Sequence, residues 1–262
     1  MSPEPRKSYP LRKIKRLSGG RKAVTIAIGF CCKDGLVMCA DRQITSVAGF
    51  KSQERKIFRA SWWDLSILFS YAGDPDAARV LFGKIRENFH SEFGKSRARL
   101  TAYKARAALE KIFTNRHAKR LETLIGIRFR DDCSLHLFRT SGHKVVEGDT
   151  EHIGCGDSSA LRYASGLILT GASTVTEATI LGSYIVSVAN RYVDGCSGGP
   201  DVTAIFKEGT ITEGTRGPFV NTKQKFIYCE EQGGKTLREL LLSGGTYRVS
   251  LSNPHKQKPI KR

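Results

Sequence analysis

Val24-Thr25-Ile26-Ala27-Ile28-Gly29-Phe30 leads through Lys33-Asp34-Gly35 into Leu36-Val37-Met38-Cys39-Ala40-Asp41. Two runs rich in β-branched and apolar residues flank a short polar break containing glycine, which predicts strand, tight turn, strand. Pairing of the two strands returns Asp41 to the place where Thr25 begins. After a loop comes Arg55-Lys56-Ile57-Phe58, which brings a lysine to the same region. If the chain were cut before Thr25, that residue would carry a hydroxyl and a free α-amine together. An amine of pKa about 8 is a usable base near neutral pH, so one residue could supply both nucleophile and proton acceptor. Taken singly, each residue has a plainer reading. Threonine opens many strands by propensity, and Asp41 and Lys56 could be ordinary solvated charges.

Outward from this hairpin, further elements follow from periodicity. A strand is predicted over 65–72, ended by Gly73-Asp74-Pro75-Asp76, a sequence that can cap a helix. Ala77, Val80, Leu81, Ile85 and Phe89 then recur at helical spacing, and a second helix is predicted over 101–118. Strands are expected over 123–129 and 135–139, joined at Asp131-Asp132. Ile153-Gly154-Cys155-Gly156 reads as a break before a helix over 158–169. Thr174 and Glu177 have the spacing of a capping box, opening a helix to about Tyr192. A last strand is expected over 202–206. Strands, helices, strands, helices and strands in that order predict an α+β chain, a four-layer αββα sandwich.

Composition bounds the rest. A chain of 262 residues can bury a substantial core as one domain, and 40% hydrophobic content is ordinary for a globular protein. The net charge is +18, from 43 Lys and Arg against 25 Asp and Glu. Residues 1–24 hold eight basic residues and one acid, so +11 remains without them. Residues 1–23 read as a basic tail or a removable propeptide, 24–250 as the folded domain, and 251–262 as a second basic tail. Such a surface attracts polyanions nonspecifically. A nucleic-acid-binding protein is one reading of the charge, but no helix-turn-helix, RNP-type strand or zinc module supports it, and no specific nucleic acid is expected.

The seven cysteines form no C-x-x-C and are odd in number, which favours reduced thiols in a cytoplasmic protein. Cys31 and Cys32 are alternative nucleophiles, yet both lie mid-strand with nothing marking a cleavage point. No metal-ligand spacing occurs, and neither metal nor cofactor is expected. Ser18-Gly19-Gly20-Arg21-Lys22 lacks the glycine spacing and ending of a phosphate loop. The basic N-terminus has no apolar core of the kind a secretory signal carries. No apolar run of about 20 residues spans a membrane.

Several separated segments carry a family resemblance. Thr25, Asp41, Thr45, Lys56 and Ala72-Gly73-Asp74 resemble the opening of proteasome β-type subunits and of the HslV peptidase, both N-terminal-nucleophile hydrolases. Downstream, Gly154-Cys155-Gly156 resembles the family's Gly-Ser-Gly, and Asp194 with Ser197-Gly198-Gly199 its Asp-x-x-Ser-Gly-Gly. The resemblance runs over roughly residues 24–207. It implies that the fold is the N-terminal-nucleophile hydrolase sandwich and that Thr25 is the nucleophile of a threonine endopeptidase. Lys56 would lower the pKa of the hydroxyl, and Asp41 would hold Lys56. Asp194 and Ser197 would orient the new N-terminus, with Cys155 in the serine position of that network. Gly73 would donate its amide to the oxyanion, and Thr45 would pair with an extended substrate.

The resemblance also implies unfolded polypeptide substrates, a homo- or hetero-oligomeric ring and an ATPase partner. Val24 departs from the pattern, since processed subunits of the family usually carry glycine before the nucleophile. A β-branched residue there is stiff where self-cleavage needs strained backbone. A noncatalytic structural subunit of the same fold is the alternative expectation.

Overall fold

The computed structural model describes residues 25–45, 50–62, 65–93, 101–114, 118, 121–154, 174–193 and 195–213. The expected tails at 1–23 and 251–262, the helix at 158–169, Cys155 and Asp194 lie outside the described residues. The described elements belong to a compact unit that ends at Glu213.

The hairpin that opens the fold is β1 (Ile26–Cys32) and β2 (Gly35–Ala40), paired antiparallel with Ala27 opposite Ala40 and Cys32 opposite Gly35. Outside it lie β10 (Thr150–Gly154), β11 (Asp201–Phe206) and β12 (Ile211–Glu213), giving a first sheet in the order β10-β1-β2-β11-β12. The second sheet runs β5-β6-β7-β8-β9. It comprises β5 (Ile57–Ser61), β6 (Leu65–Ala72), β7 (Glu122–Phe129), β8 (Leu135–Ser141) and β9 (Lys144–Glu147). A separate two-stranded sheet joins β3 (Gln43–Thr45) to β4 (Lys51–Gln53).

Alternation along each strand sorts its side chains into layers. Ile26, Ile28, Phe30, Val37, Cys39, Val202 and Ala204 face α3 (Val175–Tyr192), forming one core. Ala27, Leu36, Met38 and Ala40 face the other way and meet Leu68, Leu124 and Leu137 of the second sheet. That sheet turns Leu65, Ile67, Phe69, Tyr71, Ile125 and Ile127 outward onto α1 (Pro75–Phe93) and α2 (Ala102–Phe113). The order is therefore helix, sheet, sheet, helix, the αββα sandwich. Strands buried on both faces read as continuous apolar runs, which is why β1, β2 and β6 stand out in the sequence.

Helix starts follow local chemistry. Asp74 accepts from the Asp76 amide at 2.9 Å, and Pro75 occupies the first turn, where a missing N–H costs nothing. The Thr174 hydroxyl accepts from Glu177 N at 3.2 Å while the Glu177 carboxylate accepts from Thr174 N at 2.7 Å, completing the capping box. α2 ends at Phe113, five residues short of the sequence expectation of 118. Thr114 closes it by returning its N–H to Ile112 O. Strands β3, β4, β9 and β12 are three or four residues long, too short to show a period. The Ile153-Gly154 segment, expected to be a break, instead ends β10 and pairs with β1. Among the described residues no helix is long and apolar enough to cross a membrane.

Candidate active site

Three of the residues singled out in the sequence meet at one end of the first sheet. Lys56 lies just before β5, and its Nζ donates to Thr25 Oγ1 at 2.9 Å and to both Asp41 oxygens at 2.9 and 3.0 Å. Thr25, Asp41 and Lys56 are 3%, 0% and 1% exposed, so the ion pair is cut off from water. An ammonium and a carboxylate bury together only when each is well solvated by the other and by further donors and acceptors. Asp41 meets that condition: Oδ1 also accepts from Ile26 N at 3.0 Å and Oδ2 from Gln43 N at 3.1 Å. Burial still pushes its carboxyl above the ordinary value, with the Lys56 charge and the two amides pulling part of that shift back.

The hairpin explains the convergence. Asp41 N donates to Ile26 O at 3.0 Å, extending the β1–β2 ladder by one step and fixing Asp41 beside the first residues of β1. Lys56 reaches the same point from the second sheet, where Ile57 pairs with Ser70. Gly154 holds the other side. It has φ +105°, and a β-carbon there would lie 1.7 Å from the Thr25 carbonyl oxygen, so only glycine lets the chain pass so close.

The remaining expected residues are placed as follows. Ser197 is partly buried; its backbone carbonyl accepts from Arg42 N at 3.1 Å, and its Oγ donates to Gln43 Oε1 at 2.5 Å. Thr45 ends β3 in an exposed position, and its Oγ1 accepts from Gln43 Nε2 at 3.0 Å. Gly73 follows β6 with φ +135° and turns the chain into α1. Gln43, which sequence reasoning passed over, is 4% exposed and joins Ser197, Thr45 and Asp41. Its position two residues after Asp41 was the only signal, and that spacing carries no chemistry by itself.

The alternative thiols stand differently. Burial pushes Cys31 and Cys32 up to about 12, so both remain protonated at neutral pH and are poor nucleophiles.

A hydroxyl in contact with a buried, carboxylate-held ammonium is arranged to lose its proton readily. The sequence profile of the proteasome subunit family matches residues 22–205. The chain belongs to the proteasome subunit family. Solved structures of Anbu share its fold. A Gly−1 mutant of Anbu from Hyphomicrobium sp. strain MC1 superposes with a TM-score of 0.67 at 16% identity, covering 82% of this chain and all of that one. Anbu from Yersinia bercovieri, described as an ancestral β-subunit, gives 0.63 at 12% identity, covering 86% of this chain and 100% of its own. A second Anbu structure from Hyphomicrobium gives 0.63 at 15% over 86% of this chain and 100% of its own. At these identities the likeness fixes the fold alone. No curated protein sequence matches the chain. Within the family match lie Thr25, Asp41, Thr45, Lys56, Gly73 and Ser197, all of them described in the structure.

Proposed function

We propose that this proteasome-family subunit is a threonine endopeptidase whose nucleophile is Thr25, exposed as an N-terminal residue by removal of the chain before it. The observation that carries the reading is the buried contact of Lys56 Nζ with both the Thr25 hydroxyl and the Asp41 carboxylate. A positive charge 2.9 Å from the hydroxyl oxygen stabilises the developing alkoxide, and Asp41 keeps that charge in place.

In the reaction, Thr25 Oγ bonds to the substrate carbonyl carbon while its proton passes to the freed α-amine. The proton then moves to the departing amide nitrogen as the C–N bond breaks, leaving an ester on Thr25. Water hydrolyses that ester by the reverse proton path. Gly73 N–H serves the oxyanion, a donor worth about 3 kcal/mol when preorganised. Asp194, Ser197 and Cys155 orient the new amine. Thr45 stands at the end of β3, where an extended peptide adds as a further strand.

The substrates are unfolded polypeptides, and the subunit works in a cytoplasmic ring that hides the site and receives chains from an ATPase partner. A second reading, a noncatalytic structural subunit of such a ring, is favoured by Val24 in the position before the nucleophile. Intact-mass measurement of the native protein separates the two readings. A chain beginning at Thr25, with peptide turnover lost in Thr25→Ala while its folded circular-dichroism spectrum is kept, supports the peptidase. An uncut chain without turnover overturns it.

A further inference from the structure

The side-chain amide of Gln43 is used at both ends. Oε1 accepts from Ser197 Oγ at 2.5 Å, and Nε2 donates to Thr45 Oγ1 at 3.0 Å. Its backbone N–H donates to Asp41 Oδ2 at 3.1 Å, the same oxygen that takes Lys56 Nζ at 3.0 Å. Gln43 is also the first residue of β3, which pairs with β4 and, among the described residues, with no strand on its other side. Whatever docks along that open edge meets Thr45 directly. Thr45 is bonded to Gln43, and the Gln43 backbone to the carboxylate that holds Lys56 against Thr25.

We propose that Gln43 is a positioning residue that couples occupancy of the β3 edge to the geometry of the Asp41–Lys56–Thr25 group. The inference rests on the peptidase reading above. Three features favour coupling over simple support. Gln43 is 4% exposed, so its side chain has little freedom to leave these two partners. Its two side-chain partners lie on different segments, Thr45 on β3 and Ser197 in the loop before β11. The link to Asp41 runs through the Gln43 main-chain N–H, so it is part of the same strand that carries Thr45. Edge pairing by a substrate far from its scissile bond would thereby act at the reacting centre, and a truncated substrate would lose kcat as well as affinity.

The test uses the full chain and two substrates with the same leaving group: an extended peptide amide that can pair along β3, and a single-residue amide that cannot. Gln43→Met keeps side-chain volume and the backbone N–H to Asp41 while removing both amide hydrogen bonds. The ratio of kcat values for the two substrates, read in one preparation, is independent of how much of the variant folds. The expected result is a wild-type ratio well above one that falls about tenfold in Gln43→Met, the size set by two ordinary hydrogen bonds, through loss on the extended substrate. A wild-type ratio near one overturns the coupling. So does an unchanged ratio in the variant, which includes equal loss on both substrates, and either result leaves the peptidase reading standing. Wild-type protein with no Thr25-dependent turnover of either substrate overturns the peptidase and the coupling with it.

Discussion

Asp41 and Asp201 are both 0% exposed and sit at the same end of the first sheet, Asp201 opposite Ala40 in the β2–β11 register. Their surroundings treat them differently. Asp41 receives the Lys56 ammonium on both oxygens and two backbone amides besides. Asp201 lies 3.4 Å from the buried Nε of Arg55, whose side chain as a whole is 37% exposed. The Arg55 guanidinium gives its direct hydrogen bond, at 2.6 Å, to Glu213 and holds that carboxyl below the ordinary range. The amides of Lys56 and Ile57 face Asp201, yet among the described residues no donor is aligned for a hydrogen bond to either oxygen. Burial raises both carboxyls, and what opposes it differs: a direct ammonium contact and two aligned amides at Asp41, the more distant charges of Arg55 and Arg42 at Asp201. Equal burial thus hides unequal design, and completeness of hydrogen bonding separates the carboxylate tied to the nucleophile from its neighbour.

Breaking the better-satisfied pair is expected to have the largest effect. Lys56→Met strands a buried carboxylate, with a stability loss of about 3–5 kcal/mol in urea unfolding and a loss in kcat of about a thousandfold or more. A variant that kept wild-type turnover would show that Lys56 is structural. Asp41→Asn retains the shape and one acceptor oxygen but leaves the ammonium uncompensated. We expect a kcat loss of about a hundredfold with about 1–3 kcal/mol of stability lost, and a stability loss exceeding that of Lys56→Met would reverse the ranking of the two partners.

The smallest effect is expected at Asp201. A carboxyl whose folded pKa is raised above its ordinary 3.8 carries an unfavourable charge at neutral pH. That burden fades as pH falls through the raised value, because the folded protein then binds the proton more readily than the unfolded chain. Asp201→Asn should accordingly change stability by less than about 1 kcal/mol at pH 7. The variant's Tm relative to wild type should be highest at neutral pH and decline toward acid. A large loss at pH 7 that shrinks as the pH falls would mean that Asp201 is stabilised as a carboxylate by its partners, and its contrast with Asp41 would disappear.

Much of the molecule was legible along the chain. The β1–β2 hairpin, β6, α1 and α3 are long apolar or periodic segments whose local pattern matches their final environment, and the Thr174–Glu177 cap formed as its spacing predicts. Thr25, Asp41 and Lys56 could be paired in advance because two of them share one hairpin. The short strands β3, β4 and β12 were hidden, since three residues carry no period and their pairing is decided by neighbours. Gln43 and Asp201 were hidden for another reason. The contacts of Gln43 with Ser197 and of Asp201 with Arg55 join residues roughly 150 positions apart, and nothing in either residue's local sequence points to such a partner.

Alternation and hairpin closure are local physics, and from them the sequence alone determined the two-faced strands, the main helices and the meeting of a threonine with an acid. Which charges would be enclosed was decided only when the second sheet closed over the first. Closure carried Lys56 into a dry contact with Asp41 and left Arg55, one residue earlier, partly in solvent. Burial and hydrogen-bond alignment depend on how layers pack, and a single strand's sequence fixes neither.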